Sequence, residues 1–376
     1  MNRSLVINCG TSSVKMTLFT SSGKVHRLEL KLDSSIAETL HKGVEHFADF
    51  EMDIIGHRVV HGGEKYTRPT LITSDVEKEL QKLNELAPLH NPPALEGITY
   101  CRTRFPNVPQ LAVFDTAFHA KIPPKAALYP LPWELAQKHH IKRYGFHGIA
   151  HAFSWDQYSS KCGTDKKVIT LHLGSGSSLA AIERGISIDT SMGFTPLDGL
   201  MMATRCGELD PAIFSYLCEK EKKSPHEILA LMNQDSGLLG ICGEKEMQKI
   251  LERKDAQAGL AVEMFVYHIV KKVGAYIAVL GDVDALIFSG GIGENAPQIR
   301  EKIIAAFPQF SLEEKKNRTL KVLPGEMKEI HHISSQVEIY VVGSDENRYI
   351  ANQVNRWEKE DGKDACSASY KSKRSP

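Results

Sequence analysis

Two stretches of the chain share one order of elements, and that repeat constrains the fold more than any other feature. Residues 5–19 hold a short apolar run, a small-residue turn around Gly10, and a second run that alternates up to Phe19. Ser21-Ser22-Gly23 turns the chain, and residues 25–32 alternate again with Leu28, Leu30 and Leu32 on one face, which predicts a third strand. The same order returns later. Residues 168–173 are apolar, Gly174-Ser175-Gly176-Ser177-Ser178 is a turn, residues 179–183 form a strand, Arg184-Gly185 turns, and residues 186–189 form a third strand. Two such meanders predict duplicated α/β domains facing one another across a cleft. The first meander alone also reads as an N-terminal edge hairpin with a polar turn.

The chain of 376 residues is 42% hydrophobic, enough to bury the core of two domains. Lys plus Arg and Asp plus Glu number 46 each, so the net charge argues for neither a nucleic-acid nor an anionic-membrane partner. Seven scattered cysteines without a CxxC fit a reducing cytoplasm better than a disulfide framework. The N-terminus leads straight into a strand with no signal-peptide pattern, and the longest apolar stretch, 256–280, is interrupted by Glu263, His268, Lys271 and Lys272. A soluble cytoplasmic enzyme is the expected class.

Between the repeats, residues 37–50 and 77–86 read as helices, 54–60 as a strand entering His61-Gly62-Gly63, and 110–114 as a strand running into Asp115. Asn91-Pro92-Pro93 opens another helix. Pro123, Pro124, Pro130 and Pro132 suggest a domain boundary. Residues 257–280 form a long helix with Leu260, Met264, Val270, Val273 and Ile277 packed on more than one side. Residues 285–288 form a buried strand feeding Gly290-Gly291-Ile292-Gly293-Glu294-Asn295, and 337–342 form another ending near Glu346. From about residue 358 the chain reads as a frayed tail.

Three Gly/Ser turns thus follow buried strands, at Gly10, Gly174 and Gly290. Free backbone amides in such turns suit phosphate oxygens, although none matches a P-loop or a dinucleotide-binding fingerprint. In the first turn Asn8, Ser12 and Lys15 add an amide, a hydroxyl and a cation. Arg58, in Gly-His-Arg-Val-Val-His-Gly-Gly, and Arg205, in Ala-Thr-Arg-Cys-Gly-Glu, suit charge stabilisation on a transferring phosphoryl group. Each reads equally as a structural ion pair. Asp115 and Glu346, at strand ends, suit Mg²⁺, while Asp115 also suits an N-cap. His57 and His61 lack a shared helix face, which argues against zinc among the sixteen histidines. His90 and His147 lie in loops, either as donors to a substrate oxygen or as structural histidines.

Taken together these motifs resemble the acetokinase (acetate kinase) family of the actin/Hsp70/sugar-kinase superfamily. The resemblance spans nearly the whole chain. Its carriers are residues 8–15, 56–64, 86–92, 114–119, 143–148, 189–199, 204–211 and 290–295. It implies duplicated ribonuclease H-like domains, each a mixed sheet with flanking helices, around a central nucleotide cleft. The first domain would span 1–118, with 348–376 returning to it, and 119–347 would bind nucleotide and form a homodimer.

The resemblance further implies in-line transfer of the ATP γ-phosphoryl group to acetate, with Mg²⁺ (or Mn²⁺ in its place). Propionate or butyrate phosphorylation is the near alternative, and a non-kinase ATPase a more distant one. Arg58, Asp115, His147 and Arg205 would be catalytic. Val60, Leu89, His90, Phe146 and Pro196 would receive acetate. Lys15, Ser12, His172, Gly174, Ser175, Gly176 and residues 290–295 (Gly290, Gly291, Ile292, Gly293, Glu294, Asn295) would bind ATP/ADP. Asn8 and Glu346 would serve the metal. The chain departs from the family's usual pattern at Ser175 (usually Asn), at Ala203, Cys206 and Glu208 around the second arginine, and at Asp345 and Asn347.

Overall fold

The computed structural model describes residues 3–10, 13–32, 35–47, 50–88 and 90–360. Its contacts divide the chain into two units. One is Met1–Ala117 with the stretch from Glu346 onward, and the other is Phe118–Asp345. Phe118 therefore belongs with the second unit, and Glu346 and Asn347 with the first. The prolines at 123–132 lie just inside the second unit and do not mark its boundary. Pro124 opens the short helix Pro124–Ala127 and Pro132 precedes the helix Trp133–Lys138, so the prolines begin elements of that unit.

In the first unit the strands are β1 (Ser4–Cys9), β2 (Ser13–Phe19), β3 (Val25–Lys31), β4 (Ile54–Val59), β5 (Thr70–Leu71) and β6 (Gln110–Phe114), in the sheet order β3-β2-β1-β4-β6-β5. The meander β1–β3 is antiparallel, β1, β4 and β6 run parallel, and β5 lies antiparallel to β6. β1 is therefore an interior strand and not the edge of a free hairpin. Its run Leu5-Val6-Ile7, almost wholly removed from water, fits a strand covered on both faces.

The second unit repeats this plan. β7 (Lys167–Leu173), β8 (Ser177–Glu183), β9 (Ile186–Thr190), β10 (Ala285–Ser289), β11 (Met327–Glu329) and β12 (Glu338–Val342) are ordered β9-β8-β7-β10-β12-β11, with the same alternation of antiparallel and parallel neighbours. The duplication expected from the two meanders extends to all six strands of each sheet.

Side-chain alternation decides what each face holds. On β7, Ile169, Leu171 and Leu173 enter an apolar core with Phe265, Ile269 and Val273 of the helix Ala256–Leu280. That helix buries Ala258, Ala261, Val262, Phe265, Ile269, Val273, Tyr276 and Leu280, a single stripe, and leaves Leu260 half exposed. It is thus packed on one side, because the 3–4 residue spacing that meets the sheet excludes Leu260. On β4, Ile55 and Val59 join the cores under the helices Ile36–His46 and Asn91–Arg104, while Gly56 and Arg58 face the helix Glu346–Glu360.

Three local expectations are corrected. Residues 37–50 and 77–86 yield shorter helices, Ile36–His46 and Ser74–Lys82, capped by the Ser35 and Thr73 side chains, the second continuing as a 3₁₀ turn over Leu83–Glu85. Glu346 opens the helix Glu346–Glu360 and does not close a strand. Gly290–Asn295 is a one-and-a-half-turn helix, not an open glycine turn.

Gly56 explains how the last helix can approach β4. A Cβ there would lie 2.9 Å from both Ile350 Cγ2 and Val354 Cγ2. Gly56→Val is expected to lift that helix from the sheet and cost about 1–3 kcal/mol. Urea denaturation checks this, and an unchanged midpoint would mean the helix has room to spare.

Candidate active site

Chemistry-bearing side chains gather at the ends of the parallel strands, in one cluster per unit. In the first unit β4 presents Arg58 beside Val113 of β6, and Asp115 follows directly where β6 ends. Arg58 donates from Nε and Nη2 to Asp115 Oδ2, at 3.2 and 2.7 Å, and its Nη1 lies 3.1 Å from Glu346 Oε2. Burial opposes the charged guanidinium, but Asp115 and Glu346 outweigh it and hold its pKa above the ordinary value. Asp115 is fully buried, and its Oδ2 accepts both bonds from Arg58.

The loop after β4 is pinned from two sides. Asn91 Oδ1 accepts from the His61 amide at 3.0 Å while Asn91 Nδ2 donates to the His61 carbonyl at 3.1 Å. The Gly62 amide donates to Thr116 Oγ1 at 3.0 Å, and a Cβ on Gly62 would sit 2.9 Å from the Phe114 ring. Glycine is required there by close packing. Val60, partly buried, leads into this loop, and His90 precedes the helix that carries Asn91.

Two of the residues expected at the first turn, Asn8 and Lys15, lie on its flanking strands as direct cross-strand neighbours. Lys15 lies within β2, opposite Asn8, and pairs with Glu29 of β3 at 3.4 Å. Asn8 stays on β1, partly buried. Ser12 and Leu89 lie outside the described residues.

In the second unit the helix Gly148–Cys162 covers the face of β7 that bears Thr170 and His172. His147, just before the helix, has φ +55° and ψ +22°, a left-handed conformation that costs a non-glycine residue roughly 1–2 kcal/mol. Its Nδ1 lies 2.9 Å from Ser178 Oγ. Its imidazole packs against His172 at 5.0 Å, and His172 Nδ1 lies 3.2 Å from Ser289 Oγ.

Arg205 completes this cluster. A Cβ built on Gly176 would stand 3.2 Å from His147 Nε2 and 3.6 Å from Arg205 Nη1, so imidazole and guanidinium converge over the second Gly/Ser turn. Arg205 donates to the Pro196 carbonyl at 3.3 Å and lies 3.7 Å from Met202 Sδ. Among the described residues no carboxylate pairs with it, and burial alone lowers its pKa. Arg58 is an arginine with two counter-ions; Arg205 is a half-buried cation with none.

Residues not anticipated from the sequence hold this arrangement. Arg143 Nη1 reaches the carbonyls of Thr190, Ser191 and Met192 at 3.1 Å each and Asp198 at 3.3 Å, and Tyr129 OH accepts from the Phe194 amide at 2.9 Å. Together they fix the segment bearing Pro196. Phe146 is buried, its carbonyl accepting from His119 at 3.1 Å. Arg300, fully buried, donates to the Gly293 and Glu294 carbonyls at 2.7 and 3.0 Å and closes the C-terminal end of the helix Gly290–Asn295. Only its position just after that motif hinted at this.

The expectation of free amides at the three leading glycines is corrected. Gly10 N donates to the Ser13 carbonyl at 2.9 Å and Gly174 N to the Gly176 carbonyl at 3.1 Å. Gly290 N donates to Glu294 Oε1 and Ser344 Oγ, both at 3.0 Å. The first two amides close their own turns and the third is taken by side chains, because a buried N–H must find an acceptor. Glu294 thus ties the motif's start to Ser344, whose hydroxyl it also engages at 2.6 Å. Ser175 is exposed in its turn. Gly291, Ile292 and Asn295 continue the helix, with Asn295 Nδ2 donating to the Gly291 carbonyl at 2.9 Å.

The sequence profile of the acetokinase family matches residues 31–352. The chain belongs to the acetokinase family. An acetate kinase of Helicobacter acinonychis (strain Sheeba) is 40% identical over 394 residues, spanning 94% of this chain and 98% of the relative. One of Syntrophobacter fumaroxidans is 46% identical over 305 residues, covering 80% and 74%. Among solved structures, a propionate kinase from Francisella tularensis subsp. tularensis SCHU S4 matches with a TM-score of 0.87 at 37% identity, covering 94% of this chain and 99% of that one. Porphyromonas gingivalis acetate kinase matches with a TM-score of 0.85 at 34% identity, covering 94% and 98%. The acetokinase fold of these structures is therefore the fold of this chain.

Burial of three imidazoles is expected to make this acetokinase-family member sensitive to acid. His57, His61 and His119 are each pushed down to about 4 from 6.5 by burial. Between those values the unfolded chain binds more protons than the folded one. Each group therefore costs stability as pH falls through that window, by up to ~1.4 kcal/mol per pH unit. Urea midpoints at pH 7.5, 6 and 5 should decrease in that order, and a flat series would show that these imidazoles keep their ordinary pKa in the folded chain.

Proposed function

We propose that the chain transfers the γ-phosphoryl group of ATP to acetate, reversibly, giving acetyl phosphate and ADP by direct in-line attack. The observation that carries this reading is Arg205, a cation with no carboxylate partner among the described residues, converging with His147 over Gly176. Such a cluster awaits an anion. Membership of the acetokinase family supports the choice of reaction, and the names of the relatives support acetate.

Acetate is ionised at neutral pH and needs no strong base, so positioning and charge neutralisation carry the catalysis. Arg205 neutralises equatorial oxygens of the transferring group, and His147 Nε2 donates to one of them. Three of the five N–H groups of Arg58 are spent on Asp115 and Glu346, leaving one on each Nη for the phosphoryl or carboxylate oxygens. Asp115 orients Arg58. Val60, Leu89, His90, Phe146 and Pro196 receive the acetate, with Val60 favouring its single methyl. His172, Gly174, Ser175, Gly176 and the helix Gly290–Asn295 bind the nucleotide, and Ser12 and Lys15 serve its phosphates.

The cluster of Arg58, Asp115 and Glu346 carries a net charge of −1, which suits a divalent cation better than a bare phosphate. Mg²⁺ takes few protein ligands beside substrate phosphates, and Glu346 and Asn8 would hold it, with Asp115 on its waters. When bound it supplies neutralisation of the phosphate charge. The enzyme acts in the cytoplasm; the free thiols at Cys9, Cys101, Cys162, Cys206, Cys218 and Cys242 support a reducing compartment, and no helix among the described residues is long and apolar enough to cross a membrane. It works as a homodimer through the second unit, supported by exposed Ile213, Tyr216, Leu260 and Tyr267 on that unit's helices.

Incubation with acetate, ATP and Mg²⁺ is expected to yield acetyl phosphate, trapped as the hydroxamate. ATP hydrolysis indifferent to acetate would return the chain to the ATPase reading. One methylene in an apolar pocket changes preference by about 1–3 kcal/mol, so kcat/KM for propionate exceeding that for acetate tenfold would reassign the substrate. Arg58→Ala and Arg205→Ala should each lower kcat on the order of a thousandfold while the KM for ATP moves little. Near-normal kcat in both would make the arginines structural.

A further inference from the structure

Behind His147 lies a line of buried polar groups that nothing in the proposed reaction uses directly. His147 Nδ1 is 2.9 Å from Ser178 Oγ, Ser178 Oγ is 2.8 Å from His151 Nε2, and His151 Nδ1 is 2.7 Å from Thr170 Oγ1. Ser178, His151 and Thr170 are fully buried. Local geometry builds the line without strain beyond that at His147. His147 and His151 stand one helical turn apart, and the His151 amide donates to the His147 carbonyl at 3.0 Å. Thr170 and His172 share a face of β7, and Ser178 on β8 lies opposite His172.

We infer that Ser178 and His151 are positioning residues that fix the tautomer of His147, so that its Nε2 carries the proton offered to the phosphoryl oxygen. Proton counting leaves two self-consistent directions. In one, Thr170 Oγ–H donates to His151 Nδ1, His151 Nε2–H to Ser178 Oγ, and Ser178 Oγ–H to His147 Nδ1, so the only proton on His147 sits at Nε2. In the other every bond reverses, His147 donates from Nδ1, and a neutral imidazole turns a lone pair toward the substrate's anionic oxygens. Electrostatic repulsion disfavours the second wherever an anion stands over Gly176.

A doubly protonated His151 would have no lone pair for Thr170 or Ser178 and would donate to both, which at Ser178 and His147 is compatible only with the first direction. Burial, with His119 and His172 nearby, pushes His151 well below its ordinary range and keeps it neutral. A serine hydroxyl, which donates once and accepts once along one line, is the smallest group that passes the orientation from one imidazole to the next.

The inference rests on the role proposed for His147, and the test separates the two. In ¹⁵N NMR of the whole enzyme saturated with MgATP at neutral pH, His147 should show a pyrrole-like Nε2 and a pyridine-like Nδ1. Ser178→Ala should give a mixed tautomer signal and lower kcat roughly ten- to a hundredfold with both KM values unchanged. His151→Gln, which keeps an N–H donor toward Ser178, should stay within a few-fold of the parent enzyme. A pyridine-like Nε2 in the parent, or full kcat in Ser178→Ala, overturns the inference. If His147→Ala lowers kcat while Ser178→Ala does not, only the relay fails. Full kcat in His147→Ala removes the role of His147 itself and the catalytic purpose of the relay with it.

Discussion

Along β7, Ile169, Leu171 and Leu173 go into the apolar core, and Thr170 and His172 go to the opposite face, where the helix Gly148–Cys162 brings His147 and His151. β4 divides its residues in the same way, with Ile55 and Val59 to the core and Gly56 and Arg58 toward the helix Glu346–Glu360. A shift of either strand by one residue would carry the polar set into the core and the apolar set out of it. The cost of burying those unpaired polar groups holds the register. The candidate site is thus a by-product of how the two sheets bury their leucines and isoleucines.

The two arginines occupy opposite electrostatic situations, and this gives each unit its own chemical character. Arg58 is locked between Asp115 and Glu346, and its remaining donors act from a fixed platform whose total charge is negative. Arg205 leans on a backbone carbonyl and a thioether, and its charge is answered by nothing in its own unit among the described residues.

Much of this was legible in the sequence, because strands and their turns are written in adjacent residues. The meanders, the two arginines, and Asp115 directly after an apolar run could all be picked out locally, and the motif order carried the family. What escaped was pairing over long separations. Nothing near Arg58 in sequence tells that Glu346 will reach it. Nothing near Gly290 tells that Ser344 will share its amide with Glu294. The glycine motif at 290–295 looked like an open cradle because glycines signal backbone freedom, yet Arg300 and Glu294 together make it a capped helix. Ser178 looked like one more small turn residue until the fold set two imidazoles against its hydroxyl.

The left-handed backbone at His147 has a consequence beyond chemistry. A glycine at that position would relax a conformation worth roughly 1–2 kcal/mol and remove the imidazole in the same stroke. With the role proposed for His147, robustness and turnover pull in opposite directions on one codon. A lineage of this chain selected for heat resistance alone would be expected to lose its imidazole there early, and a lineage that retains histidine at 147 through such selection records that turnover was being selected too.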